Sequence, residues 1–276
     1  MNFEIVTEHL IWTDVGYGNS VAIGLGEKVF VIDSMFNWEL ASEWRNTIEK
    51  HFKKPVSGLI LTHHHADHTF GNQVFVDLPI ISSLEIRKIT EAFETEVWEN
   101  ETEEDRAEWE ADGYGVKNLQ LTHSNLCFEK NLHLFGERKL ELIQADGHTV
   151  GSTYLWQPET KTLIAGDLVF NRVFPYGADA SCNVVIWQKV IEDLIALEPE
   201  IIISGHGPVA TVKDLEEINE FLSGSIHFIK EKLKYGLSVD EIVNDPSLPD
   251  YYSEDRAERK KATFEHWVEF FKDKNQ

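Results

Sequence analysis

Between residues 63 and 68 the chain crowds His63, His64, His65, Asp67 and His68 into the stretch LILTHHHADHTFGN, directly after a short apolar run. The run PVSGLILT reads as a buried strand. Four imidazoles and a carboxylate at its end need a rigid sheet edge that fixes them while leaving them open to a ligand. In extended backbone, residues two apart face the same way, so His63 and His65 reach one point and His64 points elsewhere. If the chain then turns into a helix, Asp67 and His68 sit on its first turn and face a second point nearby. One short segment thus offers ligands for two adjacent metal ions, and imidazole with carboxylate suits zinc and related divalent metals. A lone histidine is more often a packed or hydrogen-bonded one, and His64 taken alone returns to that reading.

Three later places share this context of a strand end followed by a polar turn. ADGHTVGS puts His148 after the strand KLELIQA, LIAGDLVF puts Asp167 after TLIAG, and IIISGHGPV puts His206 after EIIIS. The flanking glycines allow close approach of backbone to a bound ion or substrate.

Around these sites the chain reads as short strands (FEIV, HLIWTD, SVAIGL, KVFVIDS), a helix over 37–52 stopped by Pro55, the strand PVSGLILT, and the strand PIIS. Gly24 and Gly26 precede a strand rather than a helix, so they mark a hairpin turn and not a dinucleotide site. Residues 83–116 form an acidic, helical-period insertion. Strands return over 126–165, followed by the helix in SCNVVIWQKVIEDLIALEP and the strand EIIISG. Two strand-rich halves, each with helices to cover a face, predict two packed sheets with helices outside. Residues 1–210 are expected to form this domain, and 211–276 a helical C-terminal extension packed on it.

The chain has 276 residues with 48 acidic and 25 basic side chains, a net charge of −23, which makes a phosphate backbone a poor partner. Hydrophobic residues at 42% suffice for a sizeable core. No apolar run approaches the ~20 residues of a membrane span. The start MNFEIVTEHLIWTD lacks a basic, then apolar, leader pattern. Two cysteines, Cys127 and Cys182, fit a reducing compartment, so a cytoplasmic location is expected. Oligomeric state is not readable.

The segment Thr62–His68 (T-H-H-H-A-D-H) resembles the H-x-H-x-D-H signature of the metallo-β-lactamase superfamily, and His148, Asp167 and His206 match its remaining ligand motifs in order. The resemblance spans roughly residues 4–210. It implies an α/β fold, specifically a four-layer αββα sandwich, with a dinuclear site at one edge. It also implies that His63, His65 and His148 bind one metal and that Asp67, His68 and His206 bind the second, with Asp167 bridging. The aspartate at the bridging position looks like the hydrolase branch that includes glyoxalase II. The chain departs from glyoxalase II in having Phe70-Gly71 after the signature, in the loop LVFNRVFPYG, and in the 80 residues between His68 and His148. The implied function is hydrolysis of a small thioester, ester or lactone. Its cofactor would be two Zn2+ ions, with iron or manganese also open, and a bridging hydroxide would attack the carbonyl. Asp67 and Asp167 are the candidates to orient that nucleophile and hold its proton. A β-lactam hydrolase is the nearest alternative, then iron-dependent redox chemistry on the same fold. Phe36, Trp38, Asn171, Arg172 and Tyr176 are candidates for a substrate pocket. Asn72 is read as capping the local turn, and the acidic insertion as a solvated helix face or a lid.

Overall fold

A computed structural model of the chain describes residues 1–111 and 115–273, so residues 112–114 of the expected insertion and 274–276 of the expected extension lie outside the described residues. The architecture is α/β, with two mixed sheets flanked by helices and further helices towards the C-terminus. The chain divides into two compact units, Met1–Gln144 with Gly151–Thr160, and Ala145–Val150 with Lys161–Gln276.

In the first unit a seven-stranded sheet runs in sequence order through β1 (Glu4–Thr7), β2 (Leu10–Gly16), β3 (Gly18–Gly24), β4 (Val29–Ile32), β5 (Val56–Ile60), β6 (Ile80–Ser83) and β7 (Leu126–Phe128). β1 to β4 pair antiparallel, and the expected hairpin closes through Leu25 N–H donating to Lys28 O at 2.8 Å. β4, β5, β6 and β7 pair in parallel. Helices must therefore connect them, and polar groups gather at their carboxyl ends.

The first connector, α1 (Trp38–Phe52), is capped by Asn37, whose side chain accepts from the Glu39 and Leu40 N–H groups. It ends at Lys53 in the left-handed region, two residues before Pro55. It buries Ala41, Trp44 and Ile48 at helical spacing against Val31, Leu59 and Leu61. The four-residue α2 (Ala66–Thr69) follows β5, as the sequence pattern predicts, with His65 at its N-cap. α3 (Leu84–Glu96) and α4 (Glu103–Ala111) make up the acidic insertion. The antiparallel strands β8 (Asn131–Phe135), β9 (Lys139–Gln144) and β10 (Thr153–Gln157) complete this unit.

The second unit pairs β11 (Thr162–Phe170) in parallel with β12 (Ile201–His206), joined by α5 (Val184–Ala196). The sequence reading ends the first of these strands at Gly166. The structure carries it to Phe170, because Leu168, Val169 and Phe170 continue the buried run. A register irregularity at Gly166, with φ of 52°, absorbs the kink, so Asp167 lies within a strand rather than in a turn. α6 (Val212–Lys234), α7 (Val239–Val243) and α8 (Ala257–Asp273) supply the helical C-terminal region. Thr211 and Asp214 form a capping box at the start of α6. An aromatic core of Phe174, Phe221, Phe264 and Trp267 holds these helices, with Trp187 of α5 edge-on to Trp267 at 6.4 Å.

Candidate metal centre

The signature residues leave the carboxyl end of β5 within the first unit. His63 Nε2 and His65 Nδ1 stand 3.1 Å apart, so the two imidazoles share one point as the extended spacing predicts. His68 is completely buried, and its ring centroid lies 4.3 Å from that of His63. His68 Nδ1–H donates to Asp33 Oδ2 at 2.8 Å, which leaves Nε2 as the lone-pair nitrogen. Asp33 is fixed in turn by Thr62, whose N–H donates to Oδ1 at 2.8 Å and whose hydroxyl donates to Oδ2 at 2.7 Å. Both Asp33 oxygens are thus engaged by Thr62 and His68, and the carboxylate orients the His68 ring. Gly18 leaves room at the lone-pair nitrogen, since a Cβ there would sit 2.8 Å from His68 Nε2. Asp67 is 15% exposed, in contact with His68 Nε2 at 3.5 Å.

His148, Asp167 and His206 meet within the second unit. Asp167 Oδ2 lies 3.6 Å from His148 Nε2 and 3.3 Å from His206 Nε2. Both rings are clamped by neighbours: His206 stacks on Phe170 at 5.1 Å, and His148 meets Trp187 edge-on at 5.1 Å. Trp187 is itself tied by its indole N–H donating to Leu168 O at 2.8 Å. Gly205 is required here, because a Cβ would come within 2.0 Å of Asp167 Oδ1. Asn171 braces the His206 loop: its N–H donates to His206 O at 3.0 Å, and its amide donates to Pro208 O at 3.1 Å.

Donors bound 2.0–2.1 Å from a tetrahedral divalent ion stand about 3.3–3.4 Å from each other. The spacings of 3.1 Å in the first unit and of 3.3 and 3.6 Å in the second bracket that value. Buried nitrogen and carboxylate donors at this separation fit a divalent metal. Without a cation, such a gathering would carry a large desolvation cost.

Two of these residues escape the sequence reading. Asp33 ends KVFVID in the same way that Thr62 and His63 end GLILT, so the signal was a second acidic group at a parallel strand's carboxyl end. Gly18 carried no signal, because its role is to keep space clear around a histidine fifty residues later.

The other candidates have defined surroundings. The Trp38 indole N–H donates to Lys117 O at 3.0 Å, and Phe36 meets Tyr17 edge-on at 6.3 Å. The Arg172 side chain is 61% exposed and stands 3.9 Å from Asp214. Tyr176 lies under the Arg259 guanidinium at 5.8 Å, and burial pushes its phenol up. Asn72 does more than cap a turn: its Oδ1 accepts from Ser34 Oγ and its amide donates to Thr122 O, both at 2.8 Å.

A cavity of about 280 Å3 lies in the first unit, lined by His64 and His65 together with residues of α3, α4 and the segment 121–123. The insertion is thus not merely a solvated face. Phe93, Trp98 and Trp109 pack on Phe70, with ring centroids 6.3, 6.3 and 6.0 Å away.

The metallo-beta-lactamase superfamily model matches residues 13–206. A metallo-beta-lactamase type 2 of Bacillus cereus is 26% identical over 212 residues, covering 72% of this chain and 74% of that protein. An acyl-coenzyme A thioesterase, MBLAC2 of Gallus gallus, is 28% identical over 155 residues, covering 53% of this chain and 55% of that protein. Among solved structures, a metallo-beta-lactamase from Pontibacter korlensis superposes with a TM-score of 0.63 at 17% identity, covering 80% of this chain and 98% of that one. Two mixed sheets flanked by helices, with histidine and aspartate donors at strand ends, define a metallo-hydrolase. The chain belongs to the metallo-beta-lactamase superfamily.

Proposed function

We propose that the chain is a two-metal hydrolase of the glyoxalase II-like branch, cleaving a small thioester, ester or lactone. His63, His65 and His148 would hold one ion and Asp67, His68 and His206 the other, with Asp167 shared. Zinc is the metal the donor set favours, with iron and manganese open to metal analysis. The observation that carries the reading is the buried Asp167 carboxylate, which faces two histidine nitrogens through one oxygen and is the residue type expected where an oxygen is shared.

When bound, the ions supply a polarised carbonyl and water whose pKa falls towards ~7. The protein's own part is orientation and proton handling. Hydrolysis adds water across the C–S or C–O bond: oxygen joins the carbonyl carbon, and the departing sulfur or oxygen leaves with a proton. Asp67 suits the proton step, being 15% exposed and able to exchange with solvent, whereas Asp167 is 3% exposed. Asp33 holds the His68 tautomer throughout. The net charge of −23 favours substrates that are not multiply anionic.

The test is turnover of a panel by zinc-loaded protein, with a chelated control. The panel holds a glutathione thioester, an aryl ester, a lactone, a cephalosporin and a phosphodiester. Chelator-sensitive cleavage of a thioester, ester or lactone is expected. Asp67→Ala should lower it at least about a hundredfold with the circular dichroism spectrum unchanged; unaltered turnover would sink the mechanism. The similarity to the Bacillus cereus enzyme supports a second reading, β-lactam hydrolysis, which cephalosporin cleavage alone would select.

A further inference from the structure

The cavity beside the signature has a chemical character of its own. Its apolar wall is built from Phe70, Ile89, Phe93, Trp109 and Leu121. Phe70 is buried, while Phe93 and Trp109 stay half-buried and turn ring surface to the open volume. The polar side chains of the same wall are engaged by protein partners. Thr69 Oγ1 donates to His65 O at 3.0 Å, and Thr90 Oγ1 to Arg87 O at 3.1 Å. Thr122 Oγ1 donates to Gln120 O at 3.0 Å, and His123 Nε2 meets Glu94 Oε2 at 2.6 Å. Both Asn72 groups are held by Ser34 and Thr122. What the wall presents to a guest is therefore mainly carbon, beside the imidazoles of His64 and His65.

The volume of about 280 Å3 is close to twice the ~150 Å3 that admits benzene in an apolar cavity. Aromatic walls also favour a flat guest through offset and edge contacts. We infer that this cavity receives a compact apolar group of the substrate, of the size of one to two fused aromatic rings, next to the reacting bond. This rests on the hydrolase reading for the word substrate, but the ligand site itself stands on the wall alone. The acidic insertion, on this account, is a specificity element whose inner face selects hydrophobic substrates.

The experiment separates the two readings. Binding of naphthalene methanol and of benzyl alcohol is measured by calorimetry on full-length, zinc-loaded protein, where neither alcohol carries an acyl bond to cleave. The naphthyl probe should bind about tenfold tighter than the benzyl one, as its larger apolar area requires. Thr90→Trp, which fills the cavity, should weaken the naphthyl probe at least about tenfold. Ile89→Ala enlarges the cavity and should keep naphthyl binding while admitting a bulkier anthracene alcohol. In parallel, zinc-loaded protein is given esters with and without a naphthyl group next to the carbonyl. The wild type should prefer the naphthyl ester in kcat/KM, and Thr90→Trp should erase the preference. Equal binding of both probes to wild type and both variants overturns the inference. Size-selective binding that Thr90→Trp abolishes, with no ester cleaved, upholds the site and removes the hydrolase reading.

Discussion

Asp33 touches no proposed ion, yet it settles which nitrogen of His68 is available, and it does so from a buried position with Thr62 holding both its oxygens. Asp33→Asn keeps the shape but weakens the acceptor. Metal affinity, read by competition with a chromophoric chelator, should fall about 10–100-fold while the fold persists. Unchanged affinity would show that the tautomer is set elsewhere. The first candidates were legible because His63, His64, His65 and His68 crowd into one short stretch after a strand. Asp33 was less so: a single aspartate after a strand resembles any turn residue, and only its 2.8 Å bond to His68 separates it from one. Gly18 was illegible as a site residue, since what it contributes is the absence of a side chain, whereas Gly205 stood out as a glycine flanking His206. The cysteines divide in the same way. Cys182 is buried, with its thiol pushed up to about 12, whereas Cys127 is exposed. Native protein should therefore consume one equivalent of a thiol reagent at neutral pH and unfolded protein two; two from the native state would contradict the burial.

Among the elements, the insertion shows how far periodicity reaches. Its helices follow from the pattern of α3 and α4, but the pattern could not say that Phe93, Trp98 and Trp109 converge on Phe70. Phe70, which directly follows the signature helix, is the residue on which the aromatic side chains of the insertion pack. Phe70→Ala removes the 4%-exposed centre of that cluster and should cost about 3–5 kcal/mol. The loss should appear as faster amide exchange across α3 and α4, with the sheet strands β3 to β5 retaining their protection. Uniform loss of protection would mean that the insertion is not a separate cooperative element. Sequence reading also ended β11 too early, because a glycine followed by an aspartate looks like a turn. The buried Leu168, Val169 and Phe170 outweigh that local signal.

At the level of the whole chain, composition speaks to charge and not to assembly. A net charge of −23 disfavours compaction through self-repulsion, and gathering carboxylates and imidazoles in buried positions adds to that cost. Bound divalent ions relieve both. At free metal about a hundredfold above Kd, binding should add about 2.7 kcal/mol to stability. Scanning calorimetry should show a lower Tm after chelation that zinc restores, and a Tm indifferent to chelator would argue against metal in the native state. Strand and helix order was readable along the sequence, whereas the division into units was not, because the chain changes unit after Gln144, Val150 and Thr160. That path bears on how the molecule can be taken apart. A fragment ending at Gln144 would keep His63, His65, Asp67 and His68 but lose Thr153, whose N–H donates to Thr62 O at 2.8 Å and anchors the backbone just before them. No single cut yields either unit whole, so neither can be inherited, expressed or shuffled as one uninterrupted cassette.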